Sequence, residues 1–155
     1  MQDFVIKKLQ VPVEISTLSG LKLSGVFFLP ETSRYHVGRE TIEEYMNSQE
    51  SFVVFRMDEE TIFFNKDAIK MIKVLKKEEE ENLYPNISYR EEECLIKFID
   101  GEEINCKIRY EIDKFHNRIY DFLNHSENFF IGIYDNDFYL LNKKCIVEIK
   151  LREKK

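Results

Sequence analysis

The sequence predicts a mainly β protein with short helices (α+β), arranged as two repeated β-β-α-β-β-β units. Three observations carry that prediction: a gap-free internal match at a shift of 77 positions, period-2 alternation of apolar residues through much of each half, and one short amphipathic helix signal per half. The shift lays Asn47 on Asn124, Phe52 on Phe129, Asp58 on Asp135, Asn65 on Asn142, Lys66 on Lys143, Ile69 on Ile146 and Ile72 on Ile149. Further upstream Gly20 pairs with Gly101, so the first half carries the longer central loop, where extra residues cost least.

Each element follows from local chemistry. Val11, Val13 and Ile15 alternate with Pro12 and Glu14, and Ile104, Cys106, Ile108 and Tyr110 alternate with polar residues, as half-buried strands do. Gly20 and the Asp100-Gly101 pair suit the tight turns of hairpins, and Gly25 inside the second strand predicts a bulge or sharp bend. Thr41 to Asn47 and Asn117 to Asn124 place Ile42, Tyr45 and Met46, or Ile119, Phe122 and Leu123, on one face of a two-turn helix. Thr41 and Asn117 are the expected N-caps, and Asn47 and Asn124 the expected left-handed C-caps. Three short strands then follow in each half: Phe52 to Met57, Thr61 to Phe64 and Ile69 to Val74, then Phe129 to Tyr134, Phe138 to Leu141 and Ile146 to Leu151. The expected organisation is a first unit over 1–76, a charged linker over 77–86 and a second unit over 87–155. Asp3 to Leu9 fits either a short helix or a lead-in strand.

Composition narrows the function. Apolar residues make up 43% of the 155 positions and aromatics 14%, enough for a folded core. Units of roughly 65–75 residues bury a modest share of their surface, so docking of the units or oligomerisation is expected. The formal charge is -6, with lysines interspersed among acids, which disfavours a general nucleic-acid coat. Cys94, Cys106 and Cys145 lie in apolar strand-like runs without CxxC spacing, as expected of reduced core thiols in a cytoplasmic protein. There is no signal-peptide pattern and no apolar run long enough to span a bilayer, so membrane insertion is not expected.

Strongly bent strands with a very short connection between the fourth and fifth fit a small SH3-like barrel. Thr17 to Val26, with its turn glycine Gly20 and strand glycine Gly25, resembles the first half of an Sm-type motif. Asn65 to Ile72 and Asn142 to Ile149, each a polar turn leading into an apolar strand, resemble the second half. The resemblance implies tandem Sm-like or Hfq-like units. The loops through which such proteins bind RNA hold the helix here, and no Asp/Asn recognition pair carries over. The Ile, Lys, Glu, Asn and Phe usage is similar to that of AT-rich bacterial genomes, and the chain as a whole resembles divergent Hfq-like proteins linked to flagellar assembly in spirochetes. That resemblance implies a non-enzymatic adaptor acting on a protein partner or on itself, with an Hfq-like RNA-binding regulator as the alternative.

No catalytic, cofactor or metal site is expected. His36, His116 and His125 lack ligand spacing, and no phosphate loop, nucleophile elbow or HExxH is present. Adjacent acids such as Glu43-Glu44 and Glu102-Glu103 diverge in regular structure and read as solubilising charges. The candidate binding loop is the segment without a counterpart in the second half, carrying Arg34, Tyr35, His36 and Arg39. These side chains suit a phosphate, a base or an acidic partner, or else pair with local glutamates. Replacing Arg34 and Arg39 together while measuring RNA and partner affinity tests it, and unchanged affinity removes the loop from consideration.

Overall fold

The computed structural model describes residues 8–30, 40–75, 89–112 and 118–152. The Arg34–Arg39 loop, the N-cap candidate Asn117 and the 77–86 linker lie outside them. Among the described residues ten strands form one antiparallel sheet, with two short α-helices. The first half runs β1 (Lys8–Thr17), β2 (Lys22–Pro30), α1 (Ile42–Met46), β3 (Phe52–Met57), β4 (Glu60–Asn65) and β5 (Ile69–Val74). The second half runs β6 (Tyr89–Phe98), β7 (Glu103–Glu111), α2 (Ile119–His125), β8 (Phe129–Tyr134), β9 (Asp137–Asn142) and β10 (Ile146–Leu151). A single 3-10 turn, Lys66–Ala68 or Lys143–Cys145, joins the last two strands of each half.

The strand order is β10-β6-β7-β8-β9-β5-β1-β2-β3-β4. Two apolar clusters lie along it. One gathers Val13, Ile15, Phe27, Phe55 and Ile72 with Ile42 and Met46 of α1, and also draws in Phe129, Ile131 and Leu140 from the second half. The other gathers Ile96, Phe98, Ile108 and Tyr110 with Phe130 and Leu141, and draws in Met71 from the first half. Each cluster is therefore completed by side chains from the opposite half.

The turns follow their residue chemistry. Gly20 and Gly101 have φ of 90° and 95°, and Asp58, Asp135 and Asn136 supply the positive φ of the β3–β4 and β8–β9 hairpins. Asn65 and Asn142 each accept a hydrogen bond from the backbone N–H two residues on, at 2.9 and 3.0 Å, starting the 3-10 turn. Helix α1 has a full capping box: Glu44 N donates to Thr41 Oγ1 at 3.1 Å and Thr41 N donates to Glu44 Oε1 at 3.0 Å. Pro12 falls just beyond the last β1–β5 pair, Val13↔Val74, where a residue without an N–H is tolerated.

Three local expectations need correction. The C-cap Asn47 has φ −96°, outside the left-handed region, and Asn124 lies within α2, whose C-cap is Ser126. Gly25 forms no bulge: the β1–β2 register runs unbroken through Val13↔Gly25, and the irregularity sits at Ser16/Thr17. Gly25 serves close approach instead, since a Cβ there would meet Arg56 O at 2.4 Å and Phe55 Cζ at 2.5 Å. In the second half the sizes are exchanged across the same two strands. Cys106 occupies β7 and Gly132 lies diagonally across from it on β8, where a Cβ would meet the Cys106 sulfur at 2.6 Å.

The three cysteines are buried and free. Burial pushes the Cys94 thiol up to about 11 and that of Cys106 up to about 12, so both stay protonated and unreactive at neutral pH. Gly25→Ala is expected to lower stability by about 2 kcal/mol, the usual cost of overpacking. A urea midpoint unchanged from that of the parent chain would contradict the close packing of Phe55 on Gly25.

Candidate interaction surface

The two halves meet at β5 and β9, where Met71, Ile72 and Lys73 lie opposite Leu141, Leu140 and Tyr139. Around this ladder, polar side chains cross from one half to the other. Asn47 at the end of α1 grips the first residue of β8 from both sides, its Nδ2 donating to Phe129 O at 2.9 Å and its Oδ1 accepting from Phe129 N at 2.8 Å. Asn142, fully buried, donates to Lys66 O at 3.2 Å and Ile69 O at 2.9 Å. These contacts satisfy backbone groups at the start of β8 and around the first half's 3-10 turn.

Charges cross the same boundary. The buried Lys70 ammonium donates to Asp100 at 2.8 Å and to Glu102 at 3.0 Å. Burial alone pulls Lys70 down, and the two carboxylates outweigh it, leaving the group above its ordinary value. Asp100 is held below its usual range by its hydrogen bond from Lys70. Lys73 pairs with Asp137 at 3.2 Å, and Lys144 with Asp67 at 3.0 Å.

The outer strands contrast with the inner pair. β5 and β9 are almost wholly buried, whereas β4 and β10 present mainly exposed or half-exposed residues, and among the described strands each has a neighbour on one side only. Phe52 is 54% exposed where its counterpart Phe129 is 1%, and Phe63 is 67% exposed where Leu140 is fully buried. At the other end Val147 and Leu151 are exposed, while their counterparts Lys70 and Val74 are buried. Large apolar side chains at both ends of a sheet, beside open backbone groups, form a surface suited to another strand.

A polar cleft of about 400 Å³ lies over the boundary, lined among others by Asn47, Glu50, Lys66, Asp67, Glu127 and Lys144. Its cations are already engaged: Lys66 donates to Ser48 O at 2.9 Å and Lys144 holds Asp67. With three carboxylates beside two lysines, it is poorly suited to a phosphate. Lys143 is the matching lysine of the second half. Its ammonium donates to Ser126 O at 2.9 Å, and burial pulls it below its ordinary value. Elsewhere the Arg109 guanidinium lies 4.3 Å from the Tyr89 ring and pairs with Glu91, so that cation and aromatic are also committed. Among the described residues no group of His, Cys, Asp and Glu could hold a metal ion, and no helix is long and apolar enough to cross a membrane.

Arg34, Tyr35, His36 and Arg39 lie outside the described residues, so the structure places none of that loop. The residues that organise the boundary, Asn47, Lys70 and Asn142, were not singled out for such a role. The recurrence of Asn at 47/124 and 65/142 was the available signal, and it fitted local backbone geometry equally well. No family model, curated protein or solved structure matches the chain.

Glu43 departs from the expectation of a merely solubilising charge. Burial in the first instance, then Glu44 and Glu127, raise its carboxyl from 4.5 to about 7. The folded chain thus holds this proton more tightly than the unfolded chain, and stability falls as pH rises from about 4.5 to about 7. Glu43→Gln is expected to raise the urea midpoint at pH 8 and leave it nearly unchanged at pH 4. Equal midpoint changes at the two pH values would show that the carboxyl titrates normally.

Proposed function

We propose that the chain is a non-enzymatic binding module, two Sm-like small-barrel units in tandem, which works as an adaptor through protein–protein contacts. The carrying observation is the exposure of large apolar residues on both terminal strands, Phe63 at one end and Val147 and Leu151 at the other, with Phe52 exposed on the neighbouring β3. The equal lengths of corresponding strands support the duplication: β1 and β6 have 10 residues each, β2 and β7 have 9, and the other pairs have 6. The matching strand order within the halves, β5-β1-β2-β3-β4 and β10-β6-β7-β8-β9, with an apolar cluster centred on each, supports the repeated-barrel reading. A role in flagellar assembly fits such an adaptor and rests on the sequence resemblance alone.

The alternative, an RNA-binding regulator, calls for a basic, aromatic-lined face. The net charge of -6 and the engaged lysines of the boundary cleft favour the protein-contact reading over it. Affinity capture from the native cell, with and without nuclease, separates the two. Proteins retained after nuclease treatment are expected. Recovery of RNA with salt-sensitive retention, and loss of co-purifying proteins after nuclease, would replace the adaptor with the regulator.

A further inference from the structure

We infer that the contact of α1 with β8 is a pH-operated clasp between the two halves, closed while Glu43 is neutral and released when Glu43 ionises opposite Glu127, with the β5–β9 ladder left intact. The clasp is independent of what the outer strands bind.

Helix α1 touches both halves through different sides. Ile42 and Met46 enter the first apolar cluster, where they join Phe129 of β8. Tyr45 holds to the first half: its ring lies 5.5 Å from that of Phe27, and its hydroxyl accepts from Val54 N at 3.3 Å. Asn47 reaches the second half and takes both backbone groups of Phe129. Those groups point away from β9. Phe129 sits opposite Asn142 and the neighbouring bond runs from Lys143 N to Asn128 O, so by antiparallel alternation Phe129 N and O face the other side of β8. On that side β7 pairs with β8 further along, at Gly132 and Ile133, and Asn47 stands in for a neighbouring strand at the start of β8.

Helix geometry carries Glu43 into this contact. It lies four residues before Asn47, on the same side of the helix, and Asn47 N donates to Glu43 O at 3.0 Å. Glu127 lies two residues before Phe129. Closing Asn47 on Phe129 therefore draws together a carboxyl from each half, and burial, then Glu44, then Glu127 raise that of Glu43 to about 7. The other charged groups around the helix are committed or act elsewhere. Glu44 Oε1 accepts from Thr41 N, while Glu40 and Glu50 act on Tyr45, two residues on from Glu43 and so on another side of the helix. Lys66 donates to Ser48 O, and Lys143, which feels Glu127, donates to Ser126 O. Asp67 and Lys144, which line the cleft beside Asn47, pair with each other. The groups that act on Glu43 are thus of its own sign.

A helix of five residues has little stability of its own, so α1 keeps its place through these contacts. Repulsion between Glu43 and Glu127 works against the β8 side alone, while Tyr45 stays anchored on Phe27 and Val54. Release frees the N–H and C=O of Phe129 and opens the cleft that Asn47, Glu127 and Phe129 line. The closed form holds the Glu43 proton more tightly than the open form, so closure is favoured at low pH and lost as pH rises towards about 7. In α2 the position matching Glu43 holds Tyr120, and Asn124 donates to Tyr120 O within its own helix, so the device belongs to the first helix.

The test is amide hydrogen exchange of the full chain, resolved by residue with NMR, from about pH 5 to about pH 8. Once corrected for intrinsic exchange, opening at Phe129 N–H is expected to rise about tenfold per pH unit up to about pH 7 and then level off. Amides of the β5–β9 ladder are expected to keep their protection throughout. Glu43→Gln, which keeps the side chain neutral, is expected to hold Phe129 protected over the whole range. Glu127→Lys, which sets an ammonium opposite Glu43, is expected to flatten the rise. Phe129 protection that is independent of pH in the parent, or a rise that persists in Glu43→Gln or is unchanged in Glu127→Lys, would overturn the clasp. Loss of ladder protection in step with Phe129 would also overturn it, by showing the whole chain opening at once.

Discussion

The pairing of β5 with β9 is the constraint on which the rest of the structure depends. It is a short ladder, Met71 to Lys73 against Leu141 to Tyr139, yet it turns two five-strand sets into one sheet. Neither apolar cluster is complete without it, because Phe129, Ile131 and Leu140 cross one way and Met71 the other. Sets of this size bury a modest share of their surface, and the shared boundary adds to it.

What fixes the register of this ladder is polar. An apolar edge can slide, and a slip by one residue would turn every side chain to the opposite face. Asn47 and Asn142 prevent that by gripping named backbone groups, and Lys70 does so by reaching two carboxylates on a turn. Buried polar groups of this kind are costly if one partner is lost and add modest net stability when satisfied. Their contribution here is to select one alignment among several that apolar contact alone would permit.

Much of the local structure was legible from residue pattern, and the joining of the halves was not. Alternation at Val11, Val13 and Ile15, the turn residues Gly20, Asp58 and Gly101, and the Thr41 cap each state a preference that acts over a few residues. The β5–β9 pairing links strands about seventy positions apart, and no local period encodes which edge meets which. Asn47 shows the limit well. An Asn after a helix suits a left-handed cap, and its actual partner, the Phe129 backbone, lies 82 residues away. Glu43 was misjudged for a related reason: its place beside Glu44 says nothing of its burial, the main cause of its raised pKa, or of Glu127, which adds to it from the other half.

The exchange of sizes between β2–β3 and β7–β8 bears on how the chain reaches this arrangement. Gly25 accepts the Phe55 ring, and Gly132 accepts the Cys106 sulfur, each small residue lying diagonally across from its own half's larger one. If β7 were to pair with β3, Cys106 would be driven against Phe55. If β2 were to pair with β8, two glycines would face each other across a void. The two strand pairs, alike in length and topology, thus differ by a reciprocal fit of sizes that suits each strand to the partner within its own half, while the outer edges stay open.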